Sequence, residues 1–396
     1  MTMSGARVLI GSLAAGLTGL GALPARAATE TVLHAFTNTP DGNGPTTSLT
    51  DVGGVLYGTT NEGGAEQQGT VFTVTTAGAE QVVYSFAGSK KHGYAPGGLL
   101  QVGRTLYGAT YGGGPGCCRK GGGNGTVYKI SVSTDKAKTL YIFPANGGGG
   151  PNGLIDVSDT FYGTTFGGGA TGSGTVFSVT PSGTGTELYS FKGGTIDGWY
   201  PTGNLLNVGG TLYGTTQYGG ASNNGTVFTV TPAGAEAVLY SFQGTSGGGD
   251  GAAPESALIN VGTTLYGVTI VGGAHGSGTV FSVAPSGTET VLYSFGGTSS
   301  DGTKPNGSLL YTGGVFYGTT SSGGGSSACT NGCGTVFSIT PGGTETVLHA
   351  FTGGTDGAGP QAALIDVGGT LYGTTEYGGG ACSFSQGCGT VFSVVP

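Results

Sequence analysis

From residue 29 onward, apolar and polar positions alternate in runs of five to seven residues divided by glycine-rich turns. The stretch 204–242 shows the pattern cleanly: NLLNV, two glycines, TLYGTT, a Gly-rich loop, GTVFTVT, a polar turn, and EAVLYSF. Runs this short, rich in Val, Leu, Thr, Tyr and Phe, predict β-strands. The Gly209–Gly210 link predicts a tight hairpin, so the unit reads as a four-stranded antiparallel meander. No stretch of ten residues carries an apolar period of 3.6, and the expected fold is all-β.

The tyrosine of the LYG core recurs at Tyr57, Tyr107, Tyr162, Tyr213, Tyr266, Tyr317 and Tyr372, at intervals of 50, 55, 51, 53, 51 and 55 residues. A period near fifty means a repeat architecture, and four-stranded units suit either a propeller or an open stack of sheets. The ends of the chain decide between them. The first strand-like run, ETVLHAF at 30–36, matches the fourth strand of a unit, and the last, GTVFSVVP at 389–396, matches the third. A seven-bladed β-propeller follows, closed when residues 30–36 complete the last blade. The loops from second to third strand and from blade to blade then share one face, and they are the long, variable ones. The opposite face carries only terse VGG and TPSG-type turns.

With 90 Gly and 16 Pro the chain resembles low-complexity sequence by composition, but these residues fall in register at every turn. Residues 1–27 differ in kind: Arg7, the apolar run VLIGSLAAGLTGLGAL, Pro24 and the small-residue site Ala25-Arg26-Ala27 predict an export signal peptide cleaved after Ala27. The run is short for a membrane span. The expected mature chain is therefore one propeller domain over 28–396, secreted or periplasmic, with no membrane span, and monomeric.

Without the leader, ten basic residues face twenty acidic ones, which argues against nucleic-acid or anionic-membrane partners. Eight of the ten basic residues lie between Lys90 and Lys138. Six cysteines in an oxidising compartment, Cys117 with Cys118, Cys329 with Cys333 and Cys382 with Cys388, are close enough in sequence for three local disulfides. The four histidines are scattered, so no metal site and no cofactor are expected.

The string LYGTT, GG, GTVF, a Pro-Gly turn, VLYSF or VLHAF, then DG and Pro, resembles the choice-of-anchor tandem repeat GloVer-containing proteins over residues 30–396. The resemblance implies a secreted bacterial protein, in a family whose members often carry a C-terminal surface-anchoring signal; this chain ends at Val395 and Pro396 directly after a strand. It implies no reaction and brings no catalytic residues. Kelch propellers are a more distant likeness.

The repeat supplies its own control, because residues present in most blades build blades and residues found in one are free to act. Asp41, Asp197, Asp250, Asp301 and Asp356 share a DG position and read as turn caps. Thr59 with Thr60, and the Tyr or His of the fourth strand, read as structure too. The second blade breaks the pattern most, with Lys90, Lys91, His92 and Tyr94 in one loop and Tyr111, Cys117, Cys118, Arg119 and Lys120 in the next. These residues suit an anionic sugar, and His92, Tyr94 and Arg119 have the types a polysaccharide lyase needs. Trp199, the only tryptophan, stands beside Tyr200, and Tyr218 follows in the next loop; they suit sugar stacking.

The leading expectation is a binding module for acidic or neutral extracellular polysaccharide. The alternatives are a carbohydrate-active enzyme, lyase before glycosidase, and a structural envelope protein. There is no GxSxG elbow between a strand and a helix and no Walker loop, and the many glycine pairs never precede a helix, which excludes a dinucleotide fingerprint by context.

Overall fold

The computed structural model describes residues 28–88, 92–114, 123–144, 147–244, 249–380, 382 and 386–396; the expected signal peptide, residues 1–27, lies outside them. Every helix or strand among the described residues is a strand, and the strands form seven antiparallel sheets. In the fourth blade Gly198–Val208, Thr211–Gly219, Thr226–Val230 and Glu236–Ser241 pair in chain order. Most first strands touch the first strands of adjacent blades, which makes them the inner ring of a propeller.

The ring closes as expected. Thr29–Ala35 pairs antiparallel with Thr390–Val395, from Thr29 opposite Val395 to Ala35 opposite Thr390. That sheet is completed by Thr370–Thr375 and Ile365–Val367.

Each word of the repeat has a packing reason. The Phe of GTVF meets, edge to face, the Phe that follows the outer strand of the preceding blade: Phe191 with Phe228 at 5.0 Å and Phe351 with Phe392 at 5.1 Å between centroids. The closure seam is built alike, with Phe36 against Phe72 at 4.9 Å. These rings are fully buried, and edge-to-face pairs add about 0.5–1.5 kcal/mol beyond area burial. The LYG glycine makes room for them, since a Cβ on Gly214 would lie 2.5 Å from the Phe228 ring.

The second Thr of LYGTT bonds the Thr of GTVF at 2.8–2.9 Å in all seven blades. The former also donates to the carbonyl two residues further on. The DG glycine lies over this pair; a Cβ on Gly198 would stand 2.4 Å from the Thr216 side chain.

A register shift interrupts the pairing of third and fourth strands in every blade. Bulges re-aim side chains, and here the Tyr or His beyond the shift meets the incoming loop. Two of the three expected disulfides are present, Cys329–Cys333 and Cys382–Cys388, with Cα separations of 5.2 and 5.6 Å. Cys117 and Cys118 lie outside the described residues. Among the described residues no helix is long and apolar enough to cross a membrane.

Deleting residues 28–36 removes the outer strand of the last blade together with Phe36. The truncated chain is expected to melt roughly 10 °C or more below the chain of residues 28–396 in a calorimetric scan; equal melting temperatures would contradict closure by this strand.

Candidate functional site

The DG aspartates do cap turns: the amides of Thr37, Lys192, Gln243, Gly296 and Thr352 donate to Asp41, Asp197, Asp250, Asp301 and Asp356. They also reach across to the outer strand. Tyr189, Tyr240 and Tyr293 donate their hydroxyls to Asp197, Asp250 and Asp301 at 2.7, 2.5 and 3.0 Å. His34 and His349 stand 3.0 and 3.5 Å from Asp41 and Asp356. A glutamate opening the next outer strand faces each of these seams: Glu80, Glu236, Glu289, Glu345 and Glu30. One oxygen of each is buried without a protein hydrogen-bond partner.

In the second blade His92 occupies the aspartate position, its Nδ1 3.2 Å from the Tyr84 hydroxyl. His92 is exposed, as is Tyr111, whose ring rests on Gly150. Tyr94 lies against Gly112, its strand partner. Lys90, Lys91, Arg119 and Lys120 lie outside the described residues, so the structure describes only part of this group.

Trp199, Tyr200 and Tyr218 are brought together, and Phe166 joins them from the third blade. Tyr200 stacks on Phe166 at 4.4 Å and on Trp199 at 4.9 Å, and Tyr218 meets both Tyr200 and Trp199 edge-on. The broad faces of Tyr200 are thus covered by its neighbours, while Tyr218 remains 36% exposed.

A cavity of about 640 Å³ opens between the sixth and seventh blades on the same face. Lys304, Ser321, Thr330, Gln361, Glu376, Tyr377 and Gln386 line it, with both disulfides in its wall. Glu376 accepts from the Gln361 amide. Burial raises the Glu376 carboxyl although bonds from Tyr377 and Gln361 oppose the rise. Burial and the adjacent Glu376 push the Tyr377 hydroxyl up to about 12.

Lys304 sits at φ 57°, where most side chains are strained. The equivalent residue is left-handed in all seven blades: Gly44, Ala95, Gly150, Tyr200, Ala253, Lys304 and Gly359. A long side chain kept at such a site marks a candidate for function.

Sequence reasoning missed this cavity. The signal was present: Tyr317 to Tyr372 is one of the two longest intervals, and the long loops of the sixth and seventh blades carry cysteine pairs. Toward the inner ring, Thr59, Thr215, Thr319 and Thr374 donate to carbonyls of the next blade. This repeated lattice is scaffold. Glu255 and Glu376 break into it, each held by a glutamine amide, Gln217 and Gln361.

Residues 115–330 match the Gloeobacter/Verrucomicrobia repeat. A search of curated proteins finds no match. Among solved structures the chain is similar to a putative 6-phosphogluconolactonase from Bacteroides uniformis, at 14% identity over 81% of this chain and 88% of that one, TM-score 0.52. It is similar to an oligogalacturonate lyase in complex with manganese, at 11% identity over 94% of each chain, TM-score 0.52. It is also similar to a puromycin-hydrolyzing peptidase from Mycobacterium tuberculosis, at 10% identity over 86% of this chain, TM-score 0.51; this chain spans about half of that one, 53%. Likeness at these identities shows the fold alone.

Burial, and then the negative charge of Asp197, Asp250 and Asp301, push Glu236, Glu289 and Glu345 from 4.5 to about 7. Folding therefore favours the protonated carboxyl. The stability it contributes is complete below about pH 4.5 and is lost as pH rises through about 7. The melting temperature is expected to fall between about pH 5 and about pH 8, and replacing all three by Gln to flatten that fall. An unchanged slope in the triple variant would contradict the assignment.

Proposed function

We propose that this chain, which belongs to the Gloeobacter/Verrucomicrobia repeat family, is a binding module that takes an extracellular glycan on its long-loop face. The observation that carries the reading is the cavity between the sixth and seventh blades. Its volume lies in the ordinary range for ligand sites, and its lining offers amides, hydroxyls and backbone groups that match sugar hydroxyls. Lys304 adds a cation for an acidic sugar, and Tyr377 adds a ring for its apolar face. The cluster of Trp199, Tyr200 and Tyr218 is the proposed second contact for a longer chain. Lys90, Lys91, Tyr111 and Lys120 would extend the acidic-sugar surface further round the rim. Export by the expected signal peptide, residues 1–27, would bring such a module outside the cytoplasm.

A second reading, a lyase acting on acidic polysaccharide, draws on the same cavity. Lys304 would neutralise a uronate carboxylate and Tyr377 would take the proton beside it. One magnitude supports the binding reading over the lyase. A phenol held near 12 is ionised in only about one molecule in 10⁵ at pH 7, too little for an effective base. In the second blade, His92 bonds Tyr84 much as Asp197 bonds Tyr189, which supports a structural part for it.

A glycan array on the full mature chain tests the reading, with absorbance for unsaturated uronate run on its acidic hits. Lys304→Gly returns the left-handed position to the residue that suits it, so stability should change by less than about 1 kcal/mol. Tyr377→Ala and Lys304→Gly are expected to weaken acidic-glycan binding at least tenfold, with His92→Ala neutral. Full binding by both cavity variants would refute the cavity, and product absorbance would favour the lyase.

A further inference from the structure

Five seams between blades pair a DG aspartate with the glutamate that opens the next outer strand. The remaining two lack both: His92 with Ala137, and the glycines at 147–148 with Gly185. Aspartate and glutamate are thus kept or lost together, which marks them as one working unit. At three of the five seams a tyrosine hydroxyl donates into the aspartate. The other two carry histidine, and they are the seams on either side of the closing strand Thr29–Ala35, which supplies His34 to one and Glu30 to the other.

Exchanging Tyr for His replaces a fixed donor with a ring whose neutral form offers a lone pair. At the His34 seam the ring Nε2 lies 3.0 Å from Asp41 Oδ2, and one donor atom each of His34, Asp41 and Glu80 falls within 4.8 Å of the others. Asp41 is almost wholly buried, and the Thr37 amide and hydroxyl fix its orientation. Such outer support is what a ligating carboxylate requires. Glu80 Oε1 is buried beside them without a protein partner. Such an oxygen recurs at the other four seams, but among the described residues only here do a histidine, an aspartate and a glutamate bring donor atoms within 4.8 Å of one another.

We propose that His34, Asp41 and Glu80 form a divalent transition-metal site of the zinc class that ties the closing strand to the first blade. One imidazole and two carboxylates suit a tetrahedral ion with bonds of about 2.0–2.2 Å and one open position for water. Donors around such an ion stand roughly 3.3 Å apart, which small side-chain rotations here would reach. Calcium needs six to eight oxygen ligands and fits this set poorly. The ion would join three elements that meet only when the ring is closed: the closing strand, the first blade-to-blade loop and the outer strand Glu80–Ser85.

The test is calorimetric titration of Zn²⁺ into the untagged, metal-stripped mature chain at neutral pH, with melting curves run in parallel. Wild type is expected to bind saturably at micromolar concentration or below and to melt several degrees higher with Zn²⁺. His34→Tyr installs the residue that five other blades carry, so the fold is preserved. It and Glu80→Gln are each expected to weaken binding at least tenfold and to abolish the melting shift. His349→Tyr is expected to retain both. Absence of Zn²⁺ binding in wild type, or undiminished binding in His34→Tyr, would overturn the proposal.

Discussion

Two threonine hydroxyls buried in each blade set the terms for everything around them. A buried hydroxyl left unpaired costs about 1–3 kcal/mol, and the chain carries such a pair seven times. Thr216 and Thr226 solve the problem by bonding each other while Thr216 also donates to the Tyr218 carbonyl. The solution brings strands two and three together at their variable-face end and leaves a shallow bed above them. Only glycine fits that bed, so the incoming loop must place Gly198 there. Asp197 is then next to the preceding outer strand, within reach of Tyr189. The same constraint thus fixes where each blade meets the next.

This explains why much of the fold was legible in the chain. LYG, GTVF and DG recur because each names one side of a contact: the glycine under Phe228, the phenylalanine itself, and the cap that reaches Tyr189. Ring closure was legible because ETVLHAF is a complete outer strand with no blade before it. The seam carboxylates were harder to read. Asp41 and Glu80 are 39 residues apart, and only the ring shows that they meet. A comparison of gaps would have found them, since Ala137 and Gly185 are missing glutamates that follow missing aspartates.

The candidate site was less legible because its walls come from different blades. Lys304, Ser321, Gly359 and Tyr377 border one cavity although no local motif contains them all. The aromatic group was recognisable as Trp199, Tyr200 and Tyr218, but Phe166, which covers one face of Tyr200, came from the blade before. His92 drew attention as a break in the repeat, and the structure places it at the DG position itself, bonded to Tyr84. A departure from a repeat therefore marks either a site or a substitute part, and the partners of the side chain tell which.

The repeated contacts build the ring, and on the proposed function recognition falls to the long loops on one face of it. Hydrogen–deuterium exchange of the chain of residues 28–396, with and without its best-bound oligosaccharide, tests this most directly. Protection is predicted in the loops bordering the cavity, around 321–333, 353–361 and 376–380, with the VGG and TPSG-type turns of the opposite face unchanged. Protection confined to those opposite turns would contradict it.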